Sequence, residues 1–222
     1  MVKKGSVFVI SAPSGAGKST LVKALLAHDA QLVLSISHTT RAPRGHEKNG
    51  GAYFFVDEAT FTQKVENQEF LEWAKVHGNS YGTDRQFIET HLAQGHDVLL
   101  EIDWQGAKQI KQNFTQAVCI FILPPSLKDL EERLYKRGED SPSVIARRLL
   151  AAGHEMSHVS EFDYVVVNQE LDKALAELRA IVLACRCEVK RSHEKLANLF
   201  EELGISDSFS SAGPMTNSTG NG

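Results

Sequence analysis

The chain has 222 residues, 42% of them hydrophobic and 23% charged, a balance that excludes collagen-like, coiled-coil and wholly disordered proteins. A folded chain of this size hides roughly 70% of the surface its unfolded form exposes, so neither disulfides nor a structural metal are needed to hold it. The 24 Lys and Arg against 28 Asp and Glu leave a net charge of −4, which argues against non-specific nucleic-acid binding, and no run of apolar residues is long enough to span a membrane.

Taken in chain order, the first strong signal is the apolar run Val7–Ser11, reached directly from Met1 to Gly5 without the apolar core and small-residue cleavage site of a secretory signal. A helical stripe follows over residues 18–27, with Leu21, Leu25 and Leu26 on one side. Short β-rich runs recur at 98–103, Val118–Leu123 and 164–168, each with helical periodicity behind it. Alternation of this kind predicts an α/β fold with a parallel sheet, and the nearly continuous apolar character predicts strands covered on both faces.

Residues 36–95 break that rhythm. They hold a turn-rich piece at 43–51, alternation near 53–56, a short helix carrying Phe61 and Val65, and strand-like pieces at Phe70–Val76 and 81–83. The expectation is a mostly antiparallel insert. A second, helical and arginine-rich insert is expected at 126–158, opened by a capping box at Ser126 to Asp129 and resumed at Ser141-Pro142. One long helix is expected over 172–200, and a polar, disordered tail over 204–222. Cys119, Cys185 and Cys187 are odd in number and lack metal or redox spacing, which fits reduced thiols in the cytoplasm.

Directly after Val7–Ser11 stands Ala12-Pro13-Ser14-Gly15-Ala16-Gly17-Lys18-Ser19-Thr20, a P-loop pattern in which Ala12 replaces the first glycine. Glycines at 15 and 17 permit positive φ and close approach of backbone N–H groups to a polyphosphate. Lys18 has the reach for the outer phosphates, and the Ser19 hydroxyl is the expected protein ligand of Mg²⁺ bound with the triphosphate. An ordinary Gly/Ser turn is the competing reading, but a strand before and a helix after favour nucleoside triphosphate binding. Arg41 and Arg44, three residues apart in the first insert, suit a second phosphate group, as do Arg133, Arg137, Arg147 and Arg148 in the second. Surface pairing on a helix explains part of that second set equally well.

Several separated motifs then occur in order: Ser35 to Arg44 (Ser-Ile-Ser-His-Thr-Thr-Arg-Ala-Pro-Arg), Gly50 with Tyr53-Phe54-Phe55, Phe70-Leu71-Glu72 and Gly78 to Thr83. Further on come Ile102-Asp103-Trp104-Gln105-Gly106, Phe121 to Ser126, Arg137-Gly138, Arg148-Leu149 and Val166-Val167-Asn168. In these the chain resembles the guanylate kinase family. The resemblance implies a three-layer α/β/α P-loop domain over 4–201. Its core would take 4–35, 96–125 and 159–201, its GMP-binding insert 36–95 and its lid 126–158.

It also implies Mg²⁺-dependent transfer of the γ-phosphoryl group of ATP to GMP, and to dGMP, in purine metabolism. The partners would be ATP and GMP, with neither nucleic acid nor membrane, and with the oligomeric state left open. By resemblance Arg41, Arg44, Tyr53 and Tyr81 would hold the acceptor phosphate. Ser37, Glu72 and Thr83 would read guanine, with Glu101 and Asp103 lining that pocket. Lys18, Arg41, Arg137 and Arg148 would stabilise the moving phosphoryl group, and Arg133 and Asn168 would lie with residues 12–20 on the ATP side. Glu101 stands where the family usually has aspartate, and Ser80 where a tyrosine often precedes Tyr81. A non-catalytic interaction module of the same fold and a P-loop kinase for another nucleotide are the alternatives; the first predicts a degraded loop, the second activity on other monophosphates.

Overall fold

The computed structural model describes residues 5–45, 47–76, 78–137, 141–189, 191 and 196–205, with the side chain of Arg137 outside that set. Most of the expected tail, 206–222, lies outside the described residues, as does Gly138. Among the described residues, those up to Ala180 form one compact unit and those from Ile181 onward another.

Five parallel strands make the central sheet: β1 (Val7–Ser11), β2 (Leu32–Ser35), β7 (Asp97–Glu101), β8 (Val118–Leu123) and β9 (Tyr164–Val167), in the order β2-β7-β1-β8-β9. Val9 lies level with Leu100 on one side and Cys119 on the other. Every residue of β1 is buried, as a central strand with both faces covered requires. β9, at the edge, buries only Val166 and exposes Tyr164, Val165 and Val167, so its apolar run overstates its burial. β2 is the strand that apolar patterning did not pick out; four residues entered without a turn signal give periodicity little to register.

The second sheet runs β4 (Phe54–Phe55), β3 (His38–Thr39), β6 (Asn79–Asp84), β5 (Phe70–Val76). β5 and β6 pair antiparallel, as do β3 and β6, whereas β3 and β4 are parallel. The insert is therefore mostly antiparallel, as expected, with one parallel pair. Between β4 and β5 lies α2 (Glu58–Glu66), capped by Asp57, whose carboxylate accepts the Thr60 N–H at 2.7 Å. After β6 comes α3 (Arg85–Ala93), which was not anticipated from sequence. Asp84 caps it through the Phe87 N–H at 2.8 Å, and Ile88 and Leu92 join Val7, Val9, Val98 and Leu100 in the core.

Helix α1 (Lys18–His28) follows β1, and α4 (Trp104–Asn113) follows β7. α5 (Leu127–Arg137) opens on the expected capping box: the Asp129 N–H donates to Ser126 Oγ at 3.0 Å, and the Ser126 hydroxyl donates to the Asp129 carboxylate. α6 (Pro142–Ser157) has proline at its first position and Ser141 as N-cap, although the Ser141 hydroxyl pairs with Ser143 instead of the backbone. At its far end His158 stacks on Trp104, ring centres 3.5 Å apart and nearly parallel, which ties the exit of α6 to the start of α4. The expected long helix is shorter: α7 (Leu171–Arg186) ends where the Cys187 N–H turns back to Ala184 O, and α8 (Ala197–Glu202) is separate.

Candidate active site

The loop between β1 and α1 turns through two left-handed glycines, Gly15 at φ 99° and Gly17 at φ 90°. Gly17 serves as N-cap of α1 with no side chain bonding to the helix, so the first N–H groups of α1 are free to face an anion. Lys18, the first residue of α1, donates from Nζ to the Ile102 carbonyl at 3.2 Å, and the Ser11 hydroxyl donates to the same oxygen at 2.9 Å. Ser19 and Thr20 are exposed, while Pro13 and Ala16 are buried beneath the loop and Ala12 half-buried at its entry.

Asn168, just beyond β9, holds the loop from the other side. Its Nδ2 donates to the Ala16 carbonyl at 2.7 Å, and a Cβ on Gly17 would lie only 2.3 Å from that nitrogen. Arg133, on α5, donates to the Asn168 carbonyl at 2.9 Å and more weakly to Ala16 O at 3.4 Å. Arg148, on α6, donates to the Ser14 hydroxyl at 2.6 Å, whereas its neighbour Arg147 is exposed. Arg137 closes α5, with its side chain outside the described residues.

Glu155 is the functional candidate that sequence reading missed. Two helical turns beyond Arg148, its carboxylate accepts the backbone N–H of Ser14. Burial is the main influence and pushes it up to about 7, against the opposing pull of Lys18, Arg148 and the Ser14 N–H. α6 therefore grips one loop residue at both its hydroxyl and its amide.

In the second sheet, Arg41 donates from one guanidinium nitrogen to both oxygens of Glu47, each at 3.0 Å, and lies 5.3 Å over the Tyr53 ring and 5.8 Å over Phe55. Arg44 is exposed; its backbone N–H donates to Glu47 at 2.7 Å. Tyr53 meets Tyr81 edge-on at 5.7 Å. Burial, aided by the charge of Glu101, pushes the Tyr53 phenol up to about 12, so it remains a hydrogen-bond donor at neutral pH. Glu47, like Glu155, was not singled out from sequence.

β5 and β6 bring Glu72 opposite Thr83. Glu72 is only 4% exposed, and the Thr83 hydroxyl donates to its Oε1 at 2.5 Å. Burial pushes this carboxyl up to about 7, with the charge of Asp103 acting the same way. Ser37 is buried in the link between β2 and β3, where its carbonyl accepts the Phe54 N–H at 2.9 Å. Asp103 caps α4 by accepting the Gly106 N–H at 3.0 Å. Glu101 is turned to the phosphate loop, accepting the Ser19 hydroxyl at 2.5 Å.

Charge links the two regions: Glu155 feels both Lys18 and Asp103, Asp103 in turn acts on Glu72, and Glu101 bonds Ser19 of the loop. The arrangement offers cationic and amide donors at one end and a buried carboxylate-hydroxyl pair at the other. Among the described residues no cluster of His, Cys, Asp and Glu could hold a metal by itself, and no helix is long and apolar enough to cross a membrane.

Comparison with known proteins gives one answer. The family model described as guanylate kinase matches residues 4–185. A guanylate kinase from Cupriavidus pinatubonensis is 59% identical over 204 residues, covering 92% of this chain and 94% of that protein. One from Bordetella pertussis is 56% identical over 201 residues, covering 90% and 94%. The crystal structure of guanylate kinase from Anaplasma phagocytophilum superposes with a TM-score of 0.77 at 34% identity, covering 93% of this chain and 98% of that one. With the loop, the mixed sheet and the buried Glu72–Thr83 pair in place, the chain belongs to the guanylate kinase family.

Proposed function

We propose that the chain transfers the γ-phosphoryl group of ATP to GMP, reversibly, giving ADP and GDP. The observation that carries this reading is the buried Glu72 carboxylate held by Thr83 in a chain that also carries an intact phosphate loop. Guanine offers N1–H and N2–H₂ side by side, and one carboxylate can accept both; adenine presents a bare N1 and would leave the buried charge unpaired. Sites that read a base through such bonds reject the wrong one by about 10⁴-fold or more.

In the transfer, an oxygen of the GMP phosphate forms the new P–O bond as the bond from the γ-phosphorus to the β–γ bridging oxygen breaks. The acceptor phosphate is already ionised, so no residue need remove a proton. The transition state is loose, and the protein's task is to align the two nucleotides and spread positive charge over the moving group. Lys18, Arg148 and Arg137 suit that role, Arg133 and Asn168 brace the ATP loop, and Arg41, Arg44, Tyr53 and Tyr81 suit the acceptor phosphate. The α5–α6 segment acts as a lid over the 36–95 insert and core, excluding water from the transfer.

The oxygen donors at the loop fit Mg²⁺: the Ser19 hydroxyl would be a hard ligand to the ion, and Glu101, which accepts the Ser19 hydrogen bond, would add negative charge beside it. When bound with ATP, the ion neutralises charge on the phosphate oxygens. Cys119, Cys185 and Cys187 form no disulfide, and Cys187 is exposed, which suits a reducing cytoplasm. A coupled assay of ADP release across GMP, dGMP, AMP, CMP and UMP tests the assignment. Activity confined to the guanine nucleotides is expected; equal turnover with AMP would overturn it.

A further inference from the structure

We propose that Gly106 is a positioning residue for base recognition: its missing side chain leaves the space in which the Glu72 carboxylate sits. The inference rests on the reading of Glu72 as the residue that takes guanine. Gly106 is the third residue of α4 and its φ is not positive, so the backbone does not require glycine there. In an ordinary helix alanine would be the better residue at such a position. Packing, however, does require it. A Cβ at 106 would lie 2.6 Å from Glu72 Oε2 and 3.1 Å from Glu72 Cδ, with Ile102 Cδ1 at 3.2 Å.

What must give way is the end of a side chain, not the main chain. Glu72 has little freedom to move harmlessly, because its other oxygen is held by Thr83 and it is almost fully buried. The Gly106 N–H is already given to Asp103, so the glycine contributes room to the carboxylate, not a hydrogen bond. Any larger residue therefore displaces the Glu72 carboxylate, beginning with Oε2. The cost falls on the two-point contact to N1–H and N2–H₂. IMP, which lacks the 2-amino group, makes only one of those contacts and loses less.

The test compares wild type, Gly106→Ala, Glu72→Gln, Glu72→Asp and the double variant Gly106→Ala/Glu72→Asp in the full chain. Measurements are kcat and KM for GMP and IMP at saturating ATP, KM for ATP, and thermal unfolding. For Gly106→Ala the expected result is a KM for GMP raised about tenfold, a reduced preference for GMP over IMP, and an unchanged KM for ATP. Aspartate, one methylene shorter, clears the added methyl, so the double variant should lose less than the product of the two single losses. If Gly106→Ala alone fails to fold, recovery of folding in the double variant supports the proposal, and no recovery overturns it. It is also overturned if Glu72→Gln loses the GMP preference while Gly106→Ala keeps it, or if GMP and IMP suffer equally. Should Glu72→Gln itself keep the preference, base reading by Glu72 fails, and Gly106 with it.

Discussion

Glu47 takes hold of Arg41 with both carboxylate oxygens, each 3.0 Å from the same guanidinium nitrogen, and binds the Arg44 N–H as well. One side chain thereby fixes a guanidinium and the backbone that carries a second one. Attraction to the two arginines and the Arg44 N–H holds its carboxyl below the usual range, outweighing the opposing and largest single influence, its burial.

If Glu47 holds Arg41 ready for the acceptor phosphate, Glu47→Gln raises KM for GMP and leaves KM for ATP alone. The pair is partly exposed, so the rise should be about twofold to fivefold. Steady-state kinetics with each substrate varied will decide. A fall in KM for GMP would mean that Glu47 instead competes with the phosphate.

Glu72 should govern a pH dependence of stability. Its carboxyl titrates near 7 when folded, against about 4.5 unfolded, so the folded chain binds the extra proton between those values. Stability therefore declines as pH rises through this window, and the loss is complete above about 7. Glu72→Gln removes it, with a gain over wild type on the order of 1–3 kcal/mol at pH 8 and little change at pH 5. Thermal melts at both pH values check this, and an equal shift at the two would contradict it. Glu155 tilts both proteins the same way and cancels in the difference.

Arg148 donates to the Ser14 hydroxyl at 2.6 Å. If Arg148 transfers its guanidinium to the phosphoryl group during reaction, Ser14→Ala should keep kcat within about twofold, while Arg148→Ala lowers it about 10²-fold to 10³-fold. Single-turnover measurements with both variants make the comparison. Equal losses would place the Ser14 bond inside the reacting complex.

Gly17→Ala should both strain the backbone and strike Asn168. A side chain at φ 90° costs about 1–2 kcal/mol, and the Cβ would lie 2.3 Å from Asn168 Nδ2. Lower melting temperature and a raised KM for ATP are expected. Adding Asn168→Ala removes the collision but not the strain, so the double variant should recover part of the stability. No recovery would show that the strain is the whole effect.

What was legible in the sequence was what lies close together along it. The phosphate loop is nine consecutive residues, and its flanking strand and helix are long enough to show their periods. Glu72 and Thr83 are eleven residues apart, and both belonged to readable strand pieces. The grip of α6 on Ser14 joins residues 134 apart, and nothing local to Glu155 distinguishes it from a solvated helix glutamate. β2 was too short for its pattern to register, and α3 was obscured because its cap, Asp84, also ends a strand. Gly106 closes the motif that begins at Ile102, but only the approach of Glu72 from another element gives it a reason.

β1 lies at the middle of its sheet, bonded to β7 on one side and β8 on the other. Strands so placed open last in native-state hydrogen exchange, because their amides are released only when the whole sheet comes apart. The loop that leaves β1 is thus anchored to the slowest-opening part of the molecule. An anion arriving there meets the first amides of α1 already in position and has little chain left to order, so the entropic cost of binding at the loop is small.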